Sequence, residues 1–146
     1  MKFKLIVDPT AEEQIVATVH APSALTEQIE ALVLAQNGTD RLQAFCDGEI
    51  ALLTLADVEC ITVIDRKVMA IYKDGKQYRL SMRLFELEEQ LPSYFFRINK
   101  STLANRNRIV KFKTTVVGGV DAHFHCGYVE YVSRRCFADI KRRMGL

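Results

Sequence analysis

The sequence has no tryptophan, only three prolines and no apolar run near the ~18 residues needed to cross a membrane. Its four cysteines are far apart and include no Cys-x-x-Cys pair, which argues against a zinc ribbon or a disulfide framework. The amino terminus reaches an acidic residue, Asp8, too early for a secretory signal peptide. These absences predict a cytoplasmic protein with free thiols and no membrane insertion.

Sequence signatures of common enzymes are also missing. The chain has no glycine-rich phosphate loop, no His-Glu-x-x-His zinc motif and no Gly-x-Ser-x-Gly nucleophile turn. His123 and His125 would share one face of a strand, but the sequence offers no third or fourth ligand for a zinc ion. We therefore expect neither catalysis nor a bound metal or cofactor.

What the sequence does have is a sharp separation of charge. Residues 1–91 carry nine basic and 15 acidic side chains, a formal charge of −6, whereas residues 92–146 carry 11 basic and three acidic ones, a formal charge of +8. A surface of that positive charge attracts polyanions. Nucleic acid and an acidic protein are the two partner classes that fit.

Hydrophobic patterning predicts a chain built mainly of strands with short helices. The clearest hairpin joins residues 68–72 to 77–80 across Asp74-Gly75, because Asp-Gly supplies the positive φ of a tight turn. Ser81 is expected to cap a short helix that ends before Pro92, and residues 134–144 are expected to form a terminal helix. Further strands are predicted at residues 49–53, 58–64, 95–98, 108–112, 115–117, 123–124 and 128–132.

The first 40 residues predict a separate β-β-α unit, followed by a second unit over residues 41–146. Residues 3–7 and 15–19 read as strands, and a helix starting near Ser23 and ending at Asn37-Gly38 follows them. The unit has a formal charge of −4 and too few elements to fold alone. We expect it to form a dimer contact or to dock on the rest of the chain as a regulatory surface, away from DNA.

Three segments of the second unit follow the Asp-Gly hairpin in a characteristic order. They are Ser81-Met82-Arg83-Leu84-Phe85-Glu86-Leu87-Glu88-Glu89-Gln90-Leu91, Phe95-Phe96-Arg97-Ile98-Asn99-Lys100-Ser101 and Val132-Ser133-Arg134-Arg135. Over residues 42–143 the chain resembles the LytTR DNA-binding domain of bacterial transcription regulators, in a small form without a receiver domain. The resemblance implies an α+β fold of antiparallel sheets whose loops enter successive major grooves.

The resemblance also implies the function and the residues that carry it. It points to a regulator that binds double-stranded DNA at repeated half-sites as a homodimer. A regulatory protein partner is left open by the sequence. An interaction module whose basic face binds an acidic protein is the alternative function. A separate interpretation of Arg97 and Lys100 makes them surface residues that pair with acids of the short helix. The implied DNA-contacting residues are Arg66, Lys67, Arg97, Asn99, Lys100, Ser101, His125, Ser133, Arg134 and Arg135.

Overall fold

The computed structural model describes residues 1–36 and 40–145, and it contains two antiparallel sheets and three helices. This is the mainly β architecture with short helices that the sequence predicted. The helices are α1 (Ala24–Gln36), α2 (Leu84–Gln90) and α3 (Arg134–Met144). The strands are β1 (Arg41–Cys46), β2 (Glu49–Thr54), β3 (Val58–Ile64), β4 (Lys67–Tyr72), β5 (Gln77–Arg79), β6 (Phe95–Asn99), β7 (Thr102–Asn105), β8 (Ile109–Thr114), β9 (Val120–Phe124) and β10 (Val129–Val132).

The larger sheet has seven strands in the order β2-β1-β5-β4-β3-β7-β6. Strand β3 lies between β4 and β7, and its first five residues are buried, as its nearly continuous apolar sequence predicts for a central strand. Strands β2 and β6 form the two edges. Leu84 and Leu87 of α2 pack against one face of this sheet, with Ile61 and Leu103 in the same core.

The smaller sheet has the order β10-β9-β8 and forms a second core with β6 and α3. Ile98 of β6, Phe124 of β9 and Ile140 of α3 are buried together there. Helix α3 begins where predicted, because the Ser133 hydroxyl accepts a hydrogen bond from the Cys136 amide at 3.2 Å and caps the first turn. This packing places the start of α3 beside the end of β6.

Local predictions in the second unit differ from the structure in three places. Strands β1 and β7 were not predicted. The six residues of β1 include the polar Arg41 and Gln43 among apolar ones, and β7 has only four residues. Residues 115–117 form a turn instead of a strand, since the Thr115 hydroxyl accepts a hydrogen bond from the Gly119 amide at 2.9 Å and Gly118 has a φ of +82°. Ser81 does not cap α2; Arg83 precedes that helix without a side-chain cap.

The two strands predicted for the first unit are wrong. Residues 3–7 and 15–19 have no strand partner in the described part of the chain. A strand is not stable without a partner, because its backbone groups and apolar side chains stay in water. Asp8 instead stabilises a turn, accepting hydrogen bonds from the Thr10 amide and hydroxyl at 2.9 and 2.7 Å, and these bonds lower the pKa of its carboxyl. The predicted helix end at Asn37-Gly38 lies outside the described residues.

Helix α1 forms where predicted and attaches to the second unit through polar contacts. The Glu30 carboxylate accepts hydrogen bonds from the Ser93 amide and hydroxyl at 2.7 and 2.5 Å, and Glu27 forms an ion pair with Arg106. Leu32 of its apolar stripe remains 72% exposed. The acidic side chains of α1 therefore attach it to the second unit, while part of its apolar face remains exposed to solvent in the single chain.

Candidate nucleic-acid interface

Three loops that are distant in sequence meet at one end of the larger sheet. The Val63 amide at the end of β3 donates to the Ser101 carbonyl at 3.1 Å, which joins the β3–β4 turn to the β6–β7 turn. The Ser133 amide donates to the Ile98 carbonyl at 2.8 Å, which brings in the junction of β10 and α3. We call this surface the three-loop edge, defined as residues 65–67, 97–101 and 133–135.

The first loop is a two-residue turn with fixed geometry. Asp65 and Arg66 both have positive φ, +51° and +64°, and Ile64 pairs with Lys67 across them. This geometry matches the tight turn that suits the twist of a hairpin, although glycine or asparagine adopts it at lower cost than arginine. The turn leaves the side chains of Arg66 and Lys67 exposed at its tip.

Asn99 shapes the second loop from inside the protein. Its side chain is only 1% exposed, and its Nδ2 donates to the Tyr131 carbonyl at 2.8 Å while its Oδ1 accepts from the Ser101 amide at 2.8 Å. The predicted DNA contact is therefore not available to this side chain as the protein is folded here. Asn99 instead ties β6 to β10 and presents Lys100, which is exposed, and Ser101, which is partly exposed, at the tip of the turn.

Arg97 is held by two acceptors within the chain. Its Nε donates to Glu88 Oε2 of α2 at 2.7 Å, and its Nη1 donates to the Lys100 carbonyl at 2.5 Å. This is the pairing with the short helix expected of Arg97 as a surface residue; Lys100 has no such acidic partner in the described chain. Any contact between Arg97 and DNA must therefore compete with Glu88.

Replacing Glu88 by glutamine is expected to strengthen DNA binding by a few-fold. The Arg97–Glu88 pair is partly exposed, at 26% and 47%, so its loss costs at most about 1 kcal/mol of stability. The change frees the guanidinium and removes a carboxylate that repels phosphate. Fluorescence anisotropy with a labelled duplex measures the effect.

Glu89→Gln is the matched control, because Glu89 is an exposed acid of the same helix and makes no ion pair in the described chain. It should raise affinity less than Glu88→Gln does. Equal gains from both variants would show that only net charge had changed and that Arg97 does not reach the DNA.

The third loop places two arginines in the first turn of α3. Arg134 and Arg135 are exposed, while the Ser133 hydroxyl is occupied by its bond to Cys136. Cations are unfavourable beside the positive end of a helix by about 0.3–1 kcal/mol, and this turn contains no acid to offset them. A bound phosphate would offset this repulsion and accept hydrogen bonds from the unpaired amides of the helix start.

His125 is the member of the predicted set that the structure does not bring to the three-loop edge. It lies in the turn between β9 and β10, at the end of β10 opposite Ser133, where its amide donates to the Arg108 carbonyl at 3.0 Å. It can contact only a flanking part of a nucleic acid held at the three-loop edge. Within the described ranges, no group of three His, Cys, Asp or Glu side chains is arranged to hold a metal ion.

A layer of polar residues beneath the loops was missed from the sequence. The hydroxyls of Thr62 and Thr102 are 2.8 Å apart, and the Tyr128 hydroxyl donates to Glu130 at 2.9 Å. Burial and then this hydrogen bond raise the pKa of Tyr128. Glu130 also lies within 3.5 Å of Thr62 and Asn99 and so links the two sheets. The available signal was the presence of threonines in otherwise apolar strands.

The charge of the three-loop edge is strongly positive. Its five exposed cations make no ion pair within the part of the chain that the structure describes, and Asp65 is its one acid. Because acidic side chains do not neutralise these cations, they are available to an external polyanion. The five are Arg66, Lys67, Lys100, Arg134 and Arg135.

The described helices are all too short or too polar to cross a membrane. Helices α1, α2 and α3 are separated from one another by strands, so the described chain contains no pair of consecutive helices arranged as a helix-turn-helix. The cations are presented by turns and by one helix start instead.

Comparison with known proteins gives one family. The family model described as the LytTr DNA-binding domain matches residues 48–145. The chain is 32% identical to proteins of Staphylococcus aureus strains NCTC 8325 and COL, each named an uncharacterized HTH-type transcriptional regulator, and the match covers 100% of this chain and 99% of each relative. The helix-turn-helix in those names has no counterpart in the described fold of this chain.

Among solved structures, a LytTr DNA-binding domain from Bacillus cereus has the same fold. Its TM-score with this chain is 0.67 at 17% identity, over 73% of this chain and 98% of that one. The family model covers about two thirds of the sequence, and the sheets and helices agree with the solved domain. The chain belongs to the LytTR DNA-binding domain family.

Proposed function

We propose that this protein is a sequence-specific transcription regulator of the bacterial cytoplasm that binds double-stranded DNA as a homodimer and reads the major groove with loops. The observation that carries the proposal is the convergence of five exposed, unpaired cations on the three-loop edge. Loops gathered at one end of a sheet can present side chains to the base edges of the major groove. Membership in a DNA-binding domain family and relatives named transcriptional regulators support it.

The proposed roles follow from the position of each side chain. Lys67 and Arg135 read base edges, because they follow a fixed turn and a capped helix start and so have defined origins. The phosphates on either side of those bases are bound by Arg66, Lys100, Ser101 and Arg134.

The remaining predicted residues act less directly. Arg97 joins the DNA contacts after release from Glu88, and His125 binds a flanking phosphate. Asn99 and the Ser133 hydroxyl position the loops without touching DNA, since both are occupied within the chain.

The proposal is tested by footprinting the pure protein on the DNA upstream of its own reading frame. We expect protection of two repeated half-sites, retained against an excess of scrambled duplex and of single-stranded DNA. The alternative function, capture of an acidic protein by the same face, predicts no footprint and equal competition by any polyanion.

Binding should depend steeply on salt. If the five unpaired cations of one chain each neutralise a phosphate, the slope of log affinity against log salt should be about −4.5 per protomer, at −0.9 per phosphate. Anisotropy titrations on a single-site duplex at several salt concentrations measure it. A slope near zero would contradict phosphate binding and favour the acidic-protein alternative.

A further inference from the structure

Strand β2 is an unprotected edge of the larger sheet. In the described residues β2 pairs with β1 alone, so no strand occupies its outer side; the Thr54 amide at its end donates to the Tyr72 hydroxyl at 3.3 Å. Natural edge strands usually carry charges, prolines or bulges that prevent further pairing. The sequence of β2, Glu-Ile-Ala-Leu-Leu-Thr, has one charge at its first residue and none of the other devices.

One face of this edge is an exposed apolar patch. Ile50 and Leu52 of β2 are 64% and 63% exposed, and Phe45 of β1, which pairs directly with Ile50, is 37% exposed. Residues two apart on a strand, and residues paired across strands, share a face, so the three side chains lie together. The opposite face, with Leu53, points into the core.

The amino-terminal segment has the complementary pattern. Phe3, Leu5 and Val7 alternate along the chain and are 75–90% exposed, and residues 3–7 make no hydrogen bond in the described structure. Such a segment has the side-chain alternation of a strand but no strand partner in the described residues. Residues 3–7 do not pair with β2 within the single chain, although the outer edge of β2 is open. This favours pairing with the β2 edge of another molecule.

Charge agrees with this placement. If Phe3 and Leu5 lie on the same face as Ile50, then Lys2 and Lys4 fall on the face that carries Glu49 and Leu53, so the pairing must place a lysine at the exposed Glu49 end of β2. Glu49 is exposed and makes no ion pair in the described chain, so a lysine can neutralise it without displacing another partner.

We propose that residues 3–7 add as an eighth strand to the β2 edge of a second copy of this chain, and that the second copy does the same in return. Such an exchange gives a closed, two-fold dimer in which both β2 edges are paired and the apolar side chains of residues 3–7 flank those of each patch. The inference deepens the proposed function, because it rests on the proposed homodimer and assigns its contact surfaces.

Two single variants and their mixture test the exchange. Leu5→Asp and Ile50→Lys each place a charge in the proposed contact, so each variant alone should sediment as a monomer where the wild type sediments as a dimer. When the two are mixed, one exchange joins the new carboxylate to the new ammonium and the other is of wild-type composition, so dimers should return. Val116→Asp, at a fully exposed turn position, is the matched control and should remain dimeric.

Amide hydrogen exchange gives a second readout: the amides of residues 3–7 should be protected in the wild-type dimer and exposed in either variant. A monomeric wild type, dimers in both single variants, or a failure of the mixture to recover dimers would each overturn the proposal. Loss of dimers in Ile50→Lys alone would show that two β2 edges pair directly, and this too would overturn it.

Binding to a single-site duplex separates this inference from the proposed function. Both variants should bind one half-site as the wild type does, because neither change lies on the three-loop edge. If no form binds DNA while the dimers behave as described, the proposed function fails and the exchange stands.

Discussion

Replacing Arg108 by alanine is expected to lower the free energy of unfolding by about 3 kcal/mol, because it leaves the carboxylate of Glu59 buried without its partner. Glu59 lies in the central strand β3 at 0% exposure, and its Oε1 accepts a hydrogen bond from Arg108 Nη2 at 2.8 Å. That hydrogen bond, partly offset by burial, raises the pKa of Arg108. Urea denaturation followed by circular dichroism measures the loss.

Arg106→Ala is the control, since Arg106 lies in the same short turn with the same side-chain exposure of 24%. Its partner Glu27 is 35% exposed and can return to water, so the cost should stay below about 1 kcal/mol. Adding Glu59→Gln to Arg108→Ala should recover part of the stability. Equal losses at Arg106 and Arg108 would contradict a role for the buried charge.

Replacing Arg135 by alanine is expected to weaken binding to the specific duplex by about 1–3 kcal/mol, or about 5- to 150-fold. Arg135 is exposed in the first turn of α3 and has no acceptor in the described chain, so the fold should be unchanged. The Ser133 cap and the bond from the Ser133 amide to Ile98 fix the origin of its side chain. Preference between the specific and the scrambled duplex should fall together with affinity.

Arg143→Ala is the control for charge, because Arg143 is an exposed cation in the last turn of the same helix, away from the three-loop edge. It should lower affinity for both duplexes slightly and leave their ratio unchanged. If Arg135→Ala also weakens both duplexes equally, then Arg135 binds phosphate and does not read a base.

The parts of the fold that the sequence predicted well are those with a local physical cause. The Asp74-Gly75 turn and the apolar run of β3 each specify their element within a few residues, and α3 spans the residues predicted for it. The elements missed, β1 and β7, form only because neighbouring strands supply their hydrogen bonds. A single sequence contains no direct record of those neighbours.

The predicted site divides in the same way. Exposed cations at turn positions, such as Lys67 and Lys100, could be recognised from residue type and place in the chain. Asn99 could not be assigned correctly, because an amide that binds DNA and one that binds a carbonyl 32 positions away are the same residue in the sequence. His125 was grouped with the others although its turn lies at the far end of β10.

Asn99, Thr62 and Thr102 lie beneath the three-loop edge and are nearly inaccessible, whereas the side chains of Lys67, Lys100 and Arg135 are exposed on it. The residues that maintain the frame and those proposed to contact DNA are thus different residues. The outer set can be exchanged with little effect on folding, so one scaffold can be redirected to new operators by changing a few side chains. A library randomised at these outer positions should yield folded proteins with altered targets, and the same randomisation one layer deeper should yield unfolded ones.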